Sequence, residues 1–182
     1  MNEVEVKARA KNPEKLLEAL ADVGVKFNDP SLQHDTIYVD NDYDPKNPKL
    51  DRNILRLRSE TGRNLLTLKR DGKNELDSLE RETAIADAKS MHDILFFLGY
   101  KPFIEVKKYR RKARFNDIEL CLDEVENLGM FIEVEKLTQE EDTEKIQEEL
   151  FSFLLSLGVQ EEDRVTQGYD TLVRLYNEGS MK

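Results

Sequence analysis

Charged and apolar side chains alternate with a period of two along the opening of this chain. In the segment EVEVKAR (residues 3–9), every second residue is charged, and the residues between are valine or alanine. Such a period is typical of a β-strand with one packed face and one polar face. The opening therefore predicts an antiparallel sheet with a covered apolar side and a charged side.

The same alternation returns downstream, between turn signals and helix signals. It predicts eight mostly antiparallel strands in one α+β domain over residues 1–176, followed by a tail at 177–182. Helices are predicted near 12–24, 88–98 and 169–176, and a further helix ending at Gly158 is predicted to begin at a capping box formed by Thr138 and Glu141. The predicted strands are residues 2–10, 34–40, 53–60, 64–71, 79–86, 103–115, 118–126 and 130–137.

The charged positions of these strands are seldom uncharged polar residues, and the two signs segregate in pairs. Arg56 and Arg58 share one strand face, for example, and Glu133 and Glu135 share another. A solvated outer face would also give alternation, so a single strand decides little. If the sheet curls into a barrel, however, the charged faces converge on a lumen and the helices cover the apolar outside.

A lumen of this kind fits a ligand that combines anionic and cationic groups. The bases suit phosphate oxygens, and the carboxylates suit a hard divalent cation. A polyphosphate with a divalent metal satisfies both sets together. The acids are Glu3, Glu5, Glu80, Glu82, Asp123, Glu133 and Glu135, and the bases are Lys7, Arg9, Arg56, Arg58, Lys69, Lys108 and Arg110.

Composition excludes several other classes of protein. The chain has 28 basic and 38 acidic residues among 182, a net charge of -10, which argues against binding to nucleic acid or a membrane surface. The single cysteine, Cys121, rules out an internal disulfide, and packing is the expected role for it. With His34 and His92 as the only histidines, a metal would need oxygen ligands, and His34 is expected to begin a strand. No long apolar run or signal peptide is present, so a soluble cytoplasmic protein is expected.

The order of the motifs resembles a known family. EVEVK resembles the ExExK signature of the CYTH superfamily, the triphosphate tunnel metalloenzymes, which includes class IV adenylyl cyclases, thiamine triphosphatases and inorganic triphosphatases. The most specific stretch is LDEVENLGMFIEVE (residues 122–135), and the resemblance extends over residues 1–176. The other motifs, in family order, are HDTIYVD, ILRLR, LTLKR, LERE, KKYRRKARF and GYDTLV.

The resemblance implies an eight-stranded antiparallel β-barrel, a tunnel with a charged lumen and helices packed on its outside. It implies Mg²⁺ or Mn²⁺ as the cofactor, and Glu80, Glu82, Arg9 and Tyr169 are further lumen candidates, with a core or lid role open for Tyr169. The implied metal ligands are Glu3, Glu5, Asp123, Glu133 and Glu135. The implied triphosphate-binding residues are Lys7, Arg56, Arg58, Lys69, Lys108 and Arg110. The candidate catalytic residues are Glu3, Glu5, Lys7, Lys69 and Lys108.

Three functions remain open at this stage. The favoured one is a class IV adenylyl cyclase, which converts ATP to cyclic AMP and pyrophosphate. The alternative is an inorganic or thiamine triphosphatase that releases orthophosphate, and the third is a non-catalytic module that binds polyphosphate or nucleotide. The expected partner is accordingly a nucleoside, thiamine or inorganic triphosphate, and a homodimer is left open.

Overall fold

The computed structural model describes residues 2–46, 53–71, 74–140 and 142–180. The strands are β1 (Asn2–Arg9), β2 (Ser31–Asp40), β3 (Ile54–Glu60), β4 (Arg63–Asp71), β5 (Asp77–Ile85), β6 (Tyr100–Phe115), β7 (Ile118–Val125), β8 (Gly129–Thr138) and the short β9 (Arg164–Val165). The helices are α1 (Pro13–Asp22), α2 (Ala88–Phe97), α3 (Thr143–Ser156) and α4 (Tyr169–Asn177), with a single 3-10 turn at Glu161–Asp163.

The eight long strands close into an antiparallel barrel. Their order is β5-β4-β3-β2-β6-β7-β8-β1, and β1 also pairs with β5, which completes the ring. This closing seam is short, because its register joins only Glu3 to Ser78 and Val4 to Asp77. The predicted eight-stranded antiparallel barrel is thus confirmed, although β2 and β6 each begin three residues before their predicted starts at His34 and Phe103.

Apolar residues that alternate with the charges pack against helices outside the barrel. The main core joins β1, β7 and β8 to α1 and α3, and a smaller core joins β2 and β3 to α2. Buried Val4 and Val6, for example, face the same core as Leu20 and Leu154. Because the apolar residues of each strand lie on the outer face of the barrel, the charged residues that alternate with them must face inward.

The ends of two helices show how local chemistry sets the boundaries. The Asn12 side chain accepts a hydrogen bond from the Lys15 backbone N–H at 3.2 Å and caps α1. The predicted capping box of α3 is wrong, because Asp142 is the capping residue. Thr138 instead ends β8, where its hydroxyl accepts a hydrogen bond from the backbone N–H of Glu140 at 3.0 Å. Glu141, the other predicted member, lies outside the described residues.

The fourth helix packs differently from the others, across residues near one end of the lumen. Val106, Val125 and Phe131 share the inward phase of their strands, and they form one buried cluster with Tyr169 and Leu172 of α4. The ring centroids of Phe131 and Tyr169 lie 5.3 Å apart in an edge-on contact. The start of α4 is thereby placed beside the interior of the barrel.

In the part of the chain that the structure describes, no helix is both long enough and apolar enough to cross a membrane.

Candidate active site

The barrel encloses a cavity of about 560 Å³ whose walls carry most of the predicted site residues. Arg9 and Asp123 are the two predicted residues outside this lining. Arg9 donates to the carbonyl oxygen of Leu128 at 3.1 Å, and Asp123 is fully buried behind its partners. The predicted residues that line the cavity are Glu3, Glu5, Lys7, Arg56, Arg58, Lys69, Glu80, Glu82, Lys108, Arg110, Glu133, Glu135 and Tyr169.

Three of the lining carboxylates lie close enough to share one ion. Glu3 and Glu5 are two positions apart on β1, and Glu135 lies opposite Glu5 on β8. One oxygen from each of these residues lies within 4.8 Å of the others, and we call this set the three-carboxylate cluster. Oxygen ligands in such a set suit Mg²⁺, Mn²⁺ or Ca²⁺.

The acidity of the three-carboxylate cluster reflects burial and mutual repulsion. Burial, with the charges of Glu135, Glu80 and Glu5, raises the pKa of Glu3 to about 8. Burial is also the main cause that raises the pKa of Glu135 to about 7, and it raises the pKa of Glu5. The three carboxyls therefore resist ionising together, and a divalent cation bound among them would favour their ionised forms.

The other two predicted metal ligands are held by basic side chains. Asp123 accepts from Arg110 Nε at 2.7 Å and from Lys108 Nζ at 3.1 Å. Glu133 contacts Lys7 Nζ at 3.0 Å and is also bound by Arg110. Burial opposes ionisation of both carboxyls, but these cations outweigh it and lower the pKa of each. The five predicted ligands therefore separate into the three-carboxylate cluster and two carboxylates that anchor bases.

The opposite wall is built from β2, β3 and β4. Arg58 forms a paired contact with Asp35, with both nitrogen–oxygen distances at 2.7 Å. Arg56 donates to the Thr67 hydroxyl at 3.2 Å and lies 3.4 Å from Glu80. Positive groups thus face the cavity from both sides, as phosphate oxygens require.

Lys69 and Tyr169 connect this wall to the start of α4. Lys69 Nζ donates to the carbonyl oxygen of Glu75 at 2.8 Å, and the Glu75 carboxylate accepts from the backbone N–H of Gly168 at 2.7 Å. The Tyr169 ring lies under two ammonium groups, Lys7 at 4.1 Å and Lys108 at 4.6 Å from its centroid. Its buried hydroxyl has no hydrogen-bond partner among the described residues, and burial raises its pKa well above the usual range. Tyr169 is therefore a buried donor beside the basic residues.

Sequence reasoning missed several lining residues, among them Gln33, Asp35, Glu60 and Glu75. The signal for Asp35 was present, because it shares its phase with Ile37 in the predicted strand HDTIYVD. Gln33 shares that phase but precedes the predicted start, and Glu75 lies in a turn without periodicity. Cys121 is buried with its sulfur 3.5 Å from a Glu135 oxygen, and His34 lies within β2, 3.3 Å from Glu105.

Part of the lining is apolar and includes Ile37, Tyr43, Ile54 and Val106. Tyr43 belongs to the loop that follows β2, and its ring lies 5.0 Å from that of Phe103. The loop itself is described only as far as residue 46. An apolar wall within a charged cavity suits a ligand that carries an organic group besides its charged part.

The fold is a closed antiparallel barrel with acidic and basic side chains facing one another inside. Comparison with known proteins identifies the family: residues 1–169 match the CYTH domain, and the chain belongs to that family. The match confirms the predicted family. CYTH proteins are metal-dependent and bind triphosphate substrates.

Individual relatives agree with this assignment. A protein of Methanocaldococcus jannaschii, named "Putative adenylate cyclase", is 29% identical over 174 residues, which cover 93% of this chain and 97% of the relative. A solved structure from Pyrococcus horikoshii has a TM-score of 0.78 at 29% identity and covers 94% of this chain and 98% of its own. A Hippeastrum protein shares the fold alone, at 19% identity and a TM-score of 0.64, with 100% of this chain and 97% of its own covered. It is described as a "putative adenylyl cyclase" with a dominant triphosphatase activity.

Proposed function

We propose that this protein is a divalent-metal-dependent adenylyl cyclase that converts ATP to cyclic AMP and pyrophosphate. The observation that carries the proposal is the placement of the three-carboxylate cluster and the basic residues in one cavity. The carboxylates of the cluster repel one another unless a cation lies between them, and the basic side chains that line the same cavity present donors suited to phosphate oxygens. ATP with Mg²⁺ or Mn²⁺ supplies both counterparts.

The residues that would hold the cation are Glu3, Glu5 and Glu135. Their oxygen donors and raised pKa values fit a hard divalent ion, which favours the ionised form of each carboxyl. When bound, the cation offsets the charge of the phosphate oxygens and of the leaving pyrophosphate. Whether Asp123 or Glu133 joins the metal site stays a prediction, since their present partners are lysine and arginine.

The bases have the complementary task of binding and orienting the triphosphate. Arg110 is the most constrained, because Asp123 and Glu133 both accept from its guanidinium. A guanidinium fixed in this way keeps its donors in place before substrate arrives, which reduces the entropy lost on binding. Lys7 is held similarly by Glu5 at 3.3 Å and Glu133 at 3.0 Å. The remaining triphosphate-binding candidates are Arg56, Arg58, Lys69 and Lys108.

The apolar wall favours a nucleotide over an inorganic triphosphate. Ile37, Tyr43, Ile54 and Val106 offer contacts that tripolyphosphate cannot use, whereas a base and ribose can. In the cyclase reaction, the 3′-oxygen attacks the α-phosphorus, a new oxygen–phosphorus bond forms, and the bond to pyrophosphate breaks. The hydroxyl proton passes to a carboxylate or to solvent. The chain's contribution is alignment and charge complementarity.

A second function, hydrolysis of a triphosphate to release orthophosphate, is favoured by Lys108. This side chain is 4% exposed and lines the cavity, and burial together with the charge of Arg110 lowers its pKa. A buried lysine that loses its proton more easily can accept one from an attacking water. The name given to the Hippeastrum protein agrees with this alternative.

The deciding experiment incubates the purified protein separately with ATP, thiamine triphosphate and tripolyphosphate, each with Mg²⁺ or Mn²⁺. Cyclic AMP with equimolar pyrophosphate supports the cyclase. Orthophosphate without cyclic AMP overturns it in favour of the triphosphatase. Tight binding without turnover of any substrate would identify a non-catalytic binding module, and a parallel set with EDTA tests the metal requirement.

A further inference from the structure

Gln33 lies in the cavity wall and has no role among the residues assigned above. It lies on β2 directly opposite Glu60 of β3 and opposite Lys108 of β6. Gln33 is only 1% exposed and lines the cavity. A buried amide must satisfy a carbonyl oxygen and an NH₂ group, so each needs an identified partner.

The orientation of the amide follows from Glu60. Gln33 Nε2 donates to Glu60 Oε1 at 3.3 Å, and the same oxygen accepts from the Ser31 hydroxyl at 3.1 Å. Arg63 donates to the other Glu60 oxygen. Burial alone would raise the pKa of Glu60, but the three hydrogen-bond donors outweigh it and lower this pKa. Because an ionised carboxylate only accepts hydrogen bonds, the NH₂ of Gln33 must face Glu60.

The carbonyl oxygen of Gln33 has no donor in the part of the chain that the structure describes. Among the described residues, no hydrogen-bond partner lies within reach of this buried Oε1. The nearest basic residues on the adjoining strands are already engaged, Lys108 by Asp123 at 3.1 Å and Arg58 by Asp35 at 2.7 Å. A buried acceptor without a donor is unfavourable, and a ligand group that supplies one removes the deficit.

The chemistry of the missing donor is restricted. Phosphate oxygens of an ionised triphosphate accept hydrogen bonds, so they cannot satisfy a carbonyl oxygen. The remaining donors are an O–H or N–H group of the substrate and a water molecule. Gln33 lies between Glu60 and Lys108, and Lys108 is one of the bases assigned to phosphate. We therefore expect the donor to lie close to a phosphorus atom of the substrate.

We propose that the Gln33 carbonyl oxygen accepts a hydrogen bond from the O–H group that attacks phosphorus and orients that group for reaction. This inference rests on the proposed function and applies to either nucleophile, a substrate hydroxyl or water. Gln33 lines the cavity although its Oε1 has almost no solvent-exposed area, so a ligand that reaches this oxygen displaces a neighbouring side chain. An amide oxygen is too weakly basic to take the proton, so Gln33 aligns the nucleophile and the proton leaves by another acceptor.

The test compares Gln33→Leu with wild type on whichever triphosphate the wild type turns over. The expected result is a kcat lower by about 10- to 100-fold, because alignment is lost, with a KM within about threefold. Gln33→Met keeps the length of the side chain without the acceptor and should give the same result if the leucine variant is less stable. Tm and Mn²⁺ affinity, measured by titration calorimetry, should stay close to wild type for both.

Ser31→Ala is the matched control. It removes the other side-chain donor to Glu60 Oε1 from the same strand and leaves the Gln33 acceptor in place. Wild-type kcat in Ser31→Ala with a large loss in Gln33→Leu supports the proposal. A kcat for Gln33→Leu within twofold of wild type, an effect on KM alone, or an equal loss in Ser31→Ala would overturn it. Absence of turnover by the wild type with every triphosphate would instead refute the proposed function, and Gln33 would then have no nucleophile to orient.

Discussion

Glu5 and Glu135 lie directly opposite each other on neighbouring antiparallel strands. Like charges at such positions normally destabilise a sheet, and here both side chains belong to the half-buried three-carboxylate cluster with Glu3. The barrel therefore keeps an unfavourable arrangement at its centre. A cation that binds there would convert the repulsion into attraction, which makes stability a direct readout of metal binding.

Stability of the metal-free protein should decrease as pH rises from about 5 to about 8. The native state raises the pKa of Glu3 to about 8 and of Glu135 to about 7, from an ordinary value of 4.5, so it binds more protons than the unfolded chain in this window. Each kcal/mol lost lowers the Tm of a chain of this size by about 2–4 °C. Thermal unfolding in EDTA across this pH range measures the slope.

Mg²⁺ or Mn²⁺ should reverse the trend, because the cation binds the ionised carboxylates. The increase in Tm on adding metal is expected to be larger at pH 8 than at pH 6. The control is a buffer without divalent cations, brought to the same ionic strength with NaCl. In this buffer the decrease of Tm with rising pH should remain. A metal-free Tm that rises between pH 5 and 8 would contradict the cluster's assignment.

Glu135→Gln should separate activity from stability. Removing one charge from the cluster lowers the repulsion, so we expect a metal-free Tm at pH 8 that is higher by several degrees, about 2–4 °C per kcal/mol. Metal-dependent turnover should fall at least about 100-fold, because a ligand is lost. Differential scanning fluorimetry and product assays report the two effects.

The control for this variant is Glu124→Gln, which makes the same chemical change at an exposed position of β7. It should leave Tm and turnover unchanged. Glu5→Gln should behave as Glu135→Gln does. Full activity in both cluster variants would remove these residues from the metal site.

The buried pair of Asp35 and Arg58 should be strongly coupled. Asp35→Ala leaves the Arg58 guanidinium, whose side chain is only 7% exposed, without its partner, and breaking such a pair costs about 3–5 kcal/mol. Urea unfolding measures the loss. Asp93→Asn, which breaks an exposed pair with Lys89, should cost no more than about 0.5 kcal/mol.

The same pair predicts acid sensitivity of the opposite sign to the cluster. Burial alone would raise the pKa of Asp35, but the hydrogen bonds and charge of Arg58 outweigh it and lower this pKa to about 2. Its contribution to stability is complete above the unfolded pKa of about 4 and is lost as pH falls towards 2. An Asp35→Ala variant that unfolds with wild-type urea dependence at pH 7 would exclude a stabilising role for this pair.

Tyr169→Phe should leave stability nearly unchanged and weaken substrate binding. The buried Tyr169 hydroxyl has no hydrogen-bond partner among the described residues, so its removal should cost little stability. If it donates to a phosphate oxygen, its loss should raise KM about tenfold, corresponding to a charge-assisted hydrogen bond of about 1.5 kcal/mol. Steady-state kinetics and Tm measure both quantities.

Tyr38→Phe provides the contrast, because the Tyr38 hydroxyl bonds to His92 Nδ1 at 2.7 Å on the outer side of the barrel. This variant should lose stability, by about 1 kcal/mol, with an unchanged KM. Wild-type KM in Tyr169→Phe would instead assign Tyr169 to packing between α4 and the barrel.

The sequence predicted the fold well because strand periodicity is strong in this chain. The alternation in residues 3–9 identified which side of β1 faces inward, and the charges on the other strands followed the same rule. The sequence could not reveal which acids would share an ion, since that depends on register. Glu5 meets Glu135 across β1 and β8, whereas Asp123 meets Arg110 across β6 and β7. Gln33 was missed because one residue beyond a predicted strand end carries no phase of its own.

The short seam between β1 and β5 closes the barrel, so an intact cavity depends on a join of only two paired positions. The seam pairs Glu3 with Ser78. Gln147 of α3 bridges it, because its side-chain NH₂ donates to the carbonyl oxygens of Glu5 at 3.1 Å and Leu76 at 3.4 Å. Few paired positions hold this join, so we expect it to open more easily than the longer strand pairings of the barrel. Amide hydrogen exchange should therefore be fastest along this join. Because Glu3 belongs to the three-carboxylate cluster, we expect metal binding to slow exchange at this join, which would make the exchange rate a measure of metal occupancy.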